Sequence, residues 1–249
     1  MEVVGVIPAR YDSSRMPGKP IVDICGKPMI WWVYNQVKKV QSLEQVCVAT
    51  DDLRIQEVCD FYDIPVVMTS KNHPDHIARV QEVSDKIAAD YYLCINGDEP
   101  LIDPVSIQKI IPSNRCEEFY FGGAMRVLTS PAQTIDSANL KVVVNQENRC
   151  LYLSRTPVPY PKGALTFNYN KYVGIECFNK VALDFFVHTP MGVVEKIEDI
   201  DHLRFIEHNK PLLFSYVESD SISVDTIKDL YYVKTIIEQR IKDGDISNE

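Results

Sequence analysis

Short β-branched apolar runs alternate with longer helix-like stretches through the first part of the chain, and this alternation constrains the fold more than any other feature. The helix-like stretches begin at Pro28, at Arg54 and near Ala78. Four apolar runs have the length and composition of buried strands: residues 2–9 (EVVGVIPA), 44–51 (EQVCVATD), 65–70 (PVVMTS) and 90–96 (DYYLCIN). A β-α-β-α order places successive strands side by side, so the sequence predicts an α/β fold with a doubly wound, mostly parallel sheet.

The alternation loosens after about residue 120, where we expect the sheet to become mixed. Residues 155–172 are rich in proline and aromatic side chains and predict an extended arm. The other elements predicted here are strands at 121–128, 140–154 (a hairpin turning near residues 146–148), 172–178 and 212–218, an amphipathic helix at 196–209 and a long helix at 227–242. The sequence contains no internal repeat and no low-complexity linker, so we interpret residues 1–249 as one domain with an inserted arm.

The charge balance and the cysteines restrict the classes of function. The 26 Lys and Arg residues are outnumbered by 35 Asp and Glu residues, and the net charge of −9 argues against nucleic-acid binding, which needs a cationic face. The longest uninterrupted apolar run, residues 29–33, is too short to cross a bilayer, so we expect no membrane association. Seven scattered cysteines without a Cys-x-x-Cys pair predict reduced, mostly buried thiols and a cytoplasmic protein.

The loop after the first strand, residues 7–20 (IPARYDSSRMPGKP), is a candidate phosphate site. Ligands of open α/β sheets bind beyond the carboxyl ends of the strands, which is where this loop lies. Its cations and hydroxyls suit a phosphate chain: Arg10, Arg15, Lys19, Ser13 and Ser14. The loop matches neither the Walker A pattern nor the dinucleotide-binding glycine pattern, and a solvated basic loop remains the alternative.

Two aspartates follow other apolar runs and are candidate Mg²⁺ ligands. Asp98 lies in the sequence Asn-Gly-Asp-Glu-Pro, and Asp225 lies in Val-Asp-Thr. A Mg²⁺ ion commonly takes one or two carboxylates together with substrate phosphates. Taken singly, each aspartate is more often a turn or helix-cap residue, so the metal interpretation rests on their combination with the cationic loop. The pair His73 and His76 is a weak candidate for a transition metal, because Pro74 lies between them.

Several motifs, in this order, resemble those of the 3-deoxy-manno-octulosonate cytidylyltransferases, or CMP-Kdo synthetases. They are the loop at 7–20, VATDD at 48–52, GDEPLI at 97–102, KVVVN at 141–145 through YLSRTPVPY at 152–160, VGI at 173–175 and VDT at 224–226. The resemblance covers nearly the whole chain. It implies a Rossmann-like, GT-A-like three-layer nucleotidyltransferase fold. It also implies transfer of CMP from CTP to the anomeric hydroxyl of a 2-keto-3-deoxy acid sugar, with Mg²⁺ as cofactor and pyrophosphate as leaving group.

The resemblance also implies roles for individual residues. Catalysis would involve Arg15, Lys19, Asp98 and Asp225, and the last two would hold the metal. The nucleotide would contact Ala9, Arg10, Ser13, Ser14, Arg15, Lys19, Ala49, Thr50, Asp51 and Arg79. The acceptor would contact Asn96, Arg155, Tyr172, Glu176, Glu198, Asp201 and His202, and Arg155 would suit its carboxylate through a bidentate pair. Relatives are commonly dimers, so a homodimer formed through the arm is expected.

The acceptor positions depart from the family pattern together, whereas the phosphate and metal motifs are intact. Asn96 replaces Gln, Tyr172 replaces His, Glu176 replaces Tyr, and Asp201-His202 replaces Glu-Gln. The middle of the family's His-x-Ser-Gly-Thr-Asp-Arg segment is also lost here. We therefore expect an acceptor other than ordinary Kdo, with Glu176 and Asp201 reading a cationic or amino group.

Three alternatives remain open at the level of sequence. The first is a diverged Kdo enzyme in which other contacts compensate for the changed residues. The second is an enzyme of the same fold that uses another nucleotide or a non-sugar acid. The third is a nucleotide-binding protein without catalysis. The presence of both metal-binding carboxylates argues against the third, because binding alone does not need them.

Overall fold

The computed structural model describes residues 1–12, 16–163, 167–219 and 221–248. The strands are β1 (Val3–Ala9), β2 (Asp23–Ile24), β3 (Lys27–Pro28), β4 (Gln45–Thr50), β5 (Val66–Met68), β6 (Tyr91–Ile95), β7 (Phe121–Val127), β8 (Lys141–Val144), β9 (Cys150–Ser154), β10 (Asn170–Phe178) and β11 (Leu213–Tyr216). The helices are α1 (Met29–Val37), α2 (Leu53–Phe61), α3 (His76–Lys86), α4 (Pro104–Gln108), α5 (Pro131–Ile135), α6 (Lys180–His188), α7 (Val193–Glu198), α8 (Leu203–Glu207) and α9 (Ile227–Lys242).

Nine of these strands form one mixed sheet. Its main path runs β11-β7-β10-β6-β1-β4-β5, and β8 joins β10 to β9. Strand β10 runs antiparallel to both β6 and β7, whereas the other neighbours on the main path pair in parallel. This confirms the predicted mixed, mostly parallel α/β sheet, and the hairpin between β8 and β9 turns at the expected place.

Helices cover both faces of the sheet and give the fold three layers. Alternate residues of β1 show why, because Val3 and Ile7 pack in one cluster with α1, α2 and α4, whereas Val4 and Val6 pack in a second with α3, α6 and α8. A third cluster joins α9 to α1. No helix in the described residues is long and apolar enough to cross a membrane. All seven cysteines are free, and five of them are buried, as the sequence predicts.

The predicted helix at 196–209 is wrong in one respect, because the chain forms two helices there. Helix α7 ends at Glu198, Asp199 takes a left-handed backbone with φ of 53°, and α8 begins at Leu203. The cause is a tertiary contact: the Arg155 guanidinium takes the carbonyl oxygens of Glu198 and Asp199 through Nε at 2.6 Å and a terminal nitrogen at 2.7 Å. These are carbonyls at a helix end, which need partners from outside the helix.

Candidate active site

The carboxyl ends of β1, β4 and β6 lie together at one edge of the sheet, where two cavities open. We name the first, of about 650 Å³, the loop cavity; its lining includes Ala9, Arg10, Lys19, Asp75, His76, Asp199 and Asp201. We name the second, of about 530 Å³, the strand cavity; its lining includes Glu99, Arg126, Lys171, Tyr172, Ser221 and Asp225. Asn96 and Asp98 line both cavities, so Asp98 lies at their junction.

Lys19 joins the two aspartates that the sequence singles out. Its Nζ lies 2.6 Å from Asp98 Oδ2 and 3.4 Å from Asp225 Oδ1. Lys19 opens a short 3-10 helix after Gly18, whose φ of 71° suits glycine. Thus two carboxylates distant in sequence converge on one ammonium group.

The geometry at Asp98 fits a divalent cation. The second carboxylate oxygen, Oδ1, is buried and has no hydrogen-bond partner among the described residues. A buried, unpaired carboxylate oxygen is costly, and a bound cation would satisfy it. The oxygen donors of Asp98 and Asp225 are those that Mg²⁺ prefers.

Glu99 is a site residue to which sequence reasoning assigned no role. It lies beside Asp98, is buried, and accepts a hydrogen bond from the Ser221 hydroxyl. Burial, together with the charge of Asp98, raises the pKa of Glu99 to about 7. The signal was present in the sequence, because Glu99 belongs to the same Gly-Asp-Glu-Pro motif.

The nucleotide residues predicted from the opening loop divide into two groups. Ala9, Arg10 and Lys19 line the loop cavity, and the Arg10 guanidinium donates to the carbonyl oxygen of Pro74 at 3.4 Å. Ser13, Ser14 and Arg15 lie outside the described residues.

The predicted cytidine residues lie deeper than expected. Ala49 and Thr50 are fully buried in β4, and neither contributes to the lining of the two cavities in the described residues. The buried Arg79 guanidinium lies 3.1 Å from Asp51 Oδ1 and donates to Thr69 Oγ1 at 2.5 Å. Ala49, Thr50, Asp51 and Arg79 are therefore not among the described residues that line either cavity.

Among the predicted acceptor residues, Glu176 is the centre of a buried cluster. Its side chain is 1% exposed and receives the Tyr172 hydroxyl at 2.5 Å, His202 Nε2 at 2.5 Å and His76 Nε2 at 3.1 Å. Asp201 Oδ2 lies 3.5 Å from His76 Nδ1, on the side that lines the loop cavity. The expectation that Glu176 reads a cationic group of the acceptor is therefore not met, because histidines of the protein occupy it.

The charges of this cluster are mutually dependent. Burial opposes ionisation of His76, but attraction and hydrogen bonding from Glu176 outweigh it and raise the pKa of His76 to about 9. Burial also disfavours the ionised form of Glu176, but the two histidines outweigh it and hold the pKa of this carboxyl well below the usual range. His73 belongs to a separate pair with Glu82, so His73 and His76 do not share a site.

Arg155 and Glu198 form a structural joint outside both cavities. The Glu198 carboxylate accepts from Ser154 Oγ at 2.9 Å and from the Arg155 backbone N–H at 3.0 Å. The Arg155 guanidinium takes the helix-end carbonyls of α7. Of the predicted acceptor set, the structure brings Asn96 and Tyr172 to the strand cavity and Asn96 and Asp201 to the loop cavity. It does not bring Arg155 or Glu198 there.

Comparisons with known proteins agree on one family. The family described as "Cytidylyltransferase" matches residues 4–218. A 3-deoxy-manno-octulosonate cytidylyltransferase from Escherichia coli is 34% identical over 243 residues, covering 98% of this chain and 99% of that protein. An 8-amino-3,8-dideoxy-manno-octulosonate cytidylyltransferase from Shewanella frigidimarina is 33% identical, covering 92% of this chain and 96% of that protein.

Solved structures agree on the fold. The structure of a CMP:2-keto-3-deoxy-manno-octonic acid synthetase complexed with CTP matches with a TM-score of 0.91 and 34% identity, covering 96% of this chain and 100% of that one. A 4-diphosphocytidyl-2C-methyl-D-erythritol synthase from Anaerococcus prevotii matches with a TM-score of 0.62 over 95% and 96% of the two chains. Its 13% identity speaks for the fold alone.

Proposed function

Because the chain belongs to the cytidylyltransferase family, we propose that it transfers CMP from CTP to a 2-keto-3-deoxy acid sugar of the Kdo type and releases pyrophosphate. The observation that carries this proposal is the junction of the two cavities at Asp98. A two-substrate transfer needs two adjoining binding spaces with charge-stabilising groups between them. Lys19 is such a group, and Asp98 and Asp225 would act as one by holding a divalent cation.

The loop cavity suits CTP, and the strand cavity suits the acceptor. Arg10 and Lys19 supply positive charge to the loop cavity beside the carboxyl end of β1, which is where a triphosphate would lie. The acceptor's anomeric oxygen would attack the α-phosphorus from the strand cavity. As this bond forms, the attacking hydroxyl loses its proton to solvent, the bond from the α-phosphorus to the bridging oxygen breaks, and the electron pair leaves with pyrophosphate.

Protein side chains mainly position the reactants and stabilise charge in this scheme. Lys19 and Arg10 would neutralise the negative charge that grows on the departing pyrophosphate. We propose that Asp98 and Asp225 hold Mg²⁺, with Asp98 Oδ1 as one ligand atom. The ion, when bound, supplies charge neutralisation at the α-phosphate and lowers the pKa of the attacking hydroxyl.

The acceptor is proposed to differ from ordinary Kdo. The Tyr172 hydroxyl is engaged by Glu176, so it cannot serve an acceptor as a histidine in its place would. Relatives named 8-amino-3,8-dideoxy-manno-octulosonate cytidylyltransferase support an amino-bearing acceptor for this chain as well.

A pyrophosphate-release assay tests the function directly. CTP, Mg²⁺ and a panel of acids would be compared: Kdo, its 8-amino analogue and other 2-keto-3-deoxy acids. We expect CTP-dependent release that UTP and ATP do not support, with higher kcat/KM for an amino-substituted acid than for Kdo. Release with Kdo at rates usual for metabolic enzymes would contradict the altered acceptor. Nucleotide binding without release across the panel would contradict catalysis.

We also propose that the enzyme works in the cytoplasm as a homodimer joined through the arm at 155–172. The described part of the arm presents exposed aromatic side chains, among them Tyr160 and Phe167. Sedimentation of the full chain, compared with a Tyr160→Ser, Phe167→Ser double variant, tests the dimer. A monomeric wild-type chain at micromolar concentration would contradict it.

A further inference from the structure

We infer that Arg126 and Lys171 together recognise the acidic group of the acceptor in the strand cavity, an inference that rests on the proposed transfer reaction. Both side chains line this cavity with Asn96 and Asp98. The two cations come from adjacent strands, β7 and β10. An acid bound between them would therefore lie in the same cavity as the group that reacts.

The strand register places these two cations side by side. In the antiparallel pair of β7 and β10, Lys171 is directly opposite Arg126. Directly opposed residues of an antiparallel pair have side chains on the same face, and like charges in that arrangement repel each other. The proximity of Arg126 is one of the causes that lower the pKa of Lys171, after burial. An arrangement that costs stability in the free protein is relieved when an anion binds between the cations.

Neither cation is satisfied by the protein in the residues that the structure describes. Neither has a salt bridge or a side-chain hydrogen bond there, although both are partly buried. Glu99, Asp136 and Asp225 attract Lys171 only from a distance. The neighbouring Lys141 shows the usual outcome for a buried lysine in this sheet, because its Nζ donates to the carbonyl oxygens of Asp136 and Arg155, each at 2.7 Å.

The position of Arg155 strengthens the case. The acidic group of the acceptor needs a cation, and the resemblance implied Arg155. In this structure the Arg155 guanidinium is bonded to the end of α7 and lies outside the strand cavity. The strand cavity itself contains Arg126 and Lys171, and a planar guanidinium beside an ammonium group can hold both oxygens of a carboxylate.

Steady-state kinetics of Arg126→Gln and Lys171→Met test the inference. A charge-assisted contact of this kind contributes roughly 10- to 100-fold in affinity, so each variant should raise the KM for the acid by that factor. The KM for CTP should stay within about twofold, and Lys171→Arg should restore most of the acceptor affinity, which a purely structural defect would not allow. Lys180→Met, in a surface salt bridge on α6, is the matched control.

An uncharged acceptor provides the second measurement. An analogue of the best acceptor in which a primary amide replaces the carboxylate should bind wild type poorly. Lys171→Met should weaken the binding of this amide little further.

Calorimetric titration of the acid into enzyme saturated with a non-hydrolysable CTP analogue distinguishes failure of the cation pair from failure of the proposed transfer reaction. Turnover by wild type with unchanged acceptor KM in both variants overturns the cation pair alone. Binding that depends on Lys171 without any turnover supports the cation pair and overturns the transfer reaction, and absence of both binding and turnover overturns both.

Discussion

The backbone N–H of Val224 donates a 2.9 Å hydrogen bond to the carbonyl oxygen of Asp98. Together with the hydrogen bond from the Ser221 hydroxyl to Glu99, this bond attaches the segment before α9 to the segment after β6. The Asp225 side chain therefore reaches the same Lys19 ammonium group as Asp98. The segment is held further from the helix side, because Thr226 caps α9 and forms a reciprocal capping box with Asp229. The proposed metal site is thus positioned by backbone contacts and a helix cap.

We expect Asp98→Asn to lower kcat by at least about a thousandfold while leaving the protein folded, since charge stabilisation at the junction of the cavities is the largest catalytic contribution proposed. Pyrophosphate release measures the loss, and thermal unfolding checks the fold. Asp60→Asn, on the exposed side of α2, should behave as wild type. Activity of Asp98→Asn close to that of wild type would remove Asp98 from the mechanism.

The sequence was informative where chemistry follows the ends of strands. Asp98 follows β6 directly, and sheet geometry brings such a residue to the edge where ligands bind. Lys19 follows β1 through the opening loop, whereas Asp225 directly follows no strand of the described residues and reaches the same place through the hydrogen bond of Val224 to Asp98. The hydrogen-bond partners of the Glu176 carboxylate could not be predicted in the same way. Its partners His76 and His202 come from the start of α3 and the turn before α8, and contacts between elements distant in sequence leave no periodic signal.

The pairing register of β7 and β10 could not be predicted from the sequence for a similar reason. Both strands were predicted, but nothing local in either one states which residues are opposite each other. The pairing of Arg126 with Lys171 depends on that register, which shifts between Val173 and Glu176. The helix break at Asp199 likewise depends on Arg155, a residue of another element.

The stability of the protein should fall as pH rises from about 6.5 towards and through 9. The pKa of His76 is raised by Glu176 to about 9 in the folded state, above the ordinary value of 6.5. A raised pKa contributes stability that is complete below the unfolded pKa and is lost as pH passes through the folded one. Urea unfolding of wild type and His76→Gln at pH 6, 7.5 and 9.5 measures this contribution. Equal pH dependence in the two proteins would contradict the assignment.

Arg155→Met should destabilise the protein by about 1–3 kcal/mol, because two carbonyl oxygens at the end of α7 lose their charged donor. The acceptor KM should remain within about twofold of the wild-type value, since Arg155 lies outside both cavities. Urea unfolding and steady-state kinetics provide the two readings. A large rise in acceptor KM without loss of stability would indicate that Arg155 binds the carboxylate of the acceptor, and it would weaken the proposal for Lys171.

Gly174→Ala should reduce turnover more than it reduces stability. Gly174 lies in β10 where the register with β7 shifts, and a Cβ at this position would overlap the Asn96 side-chain amide. Asn96 lines both cavities, so displacing its amide alters the wall beside Asp98. The side chain can rotate away, so we expect destabilisation of only about 1–2 kcal/mol, together with a tenfold or larger fall in kcat/KM for the acceptor. An Asn96→Ala, Gly174→Ala double variant separates the causes. If the overlap acts through Asn96, adding Gly174→Ala to Asn96→Ala should cost little further activity, whereas additive losses would place the effect in the backbone of β10.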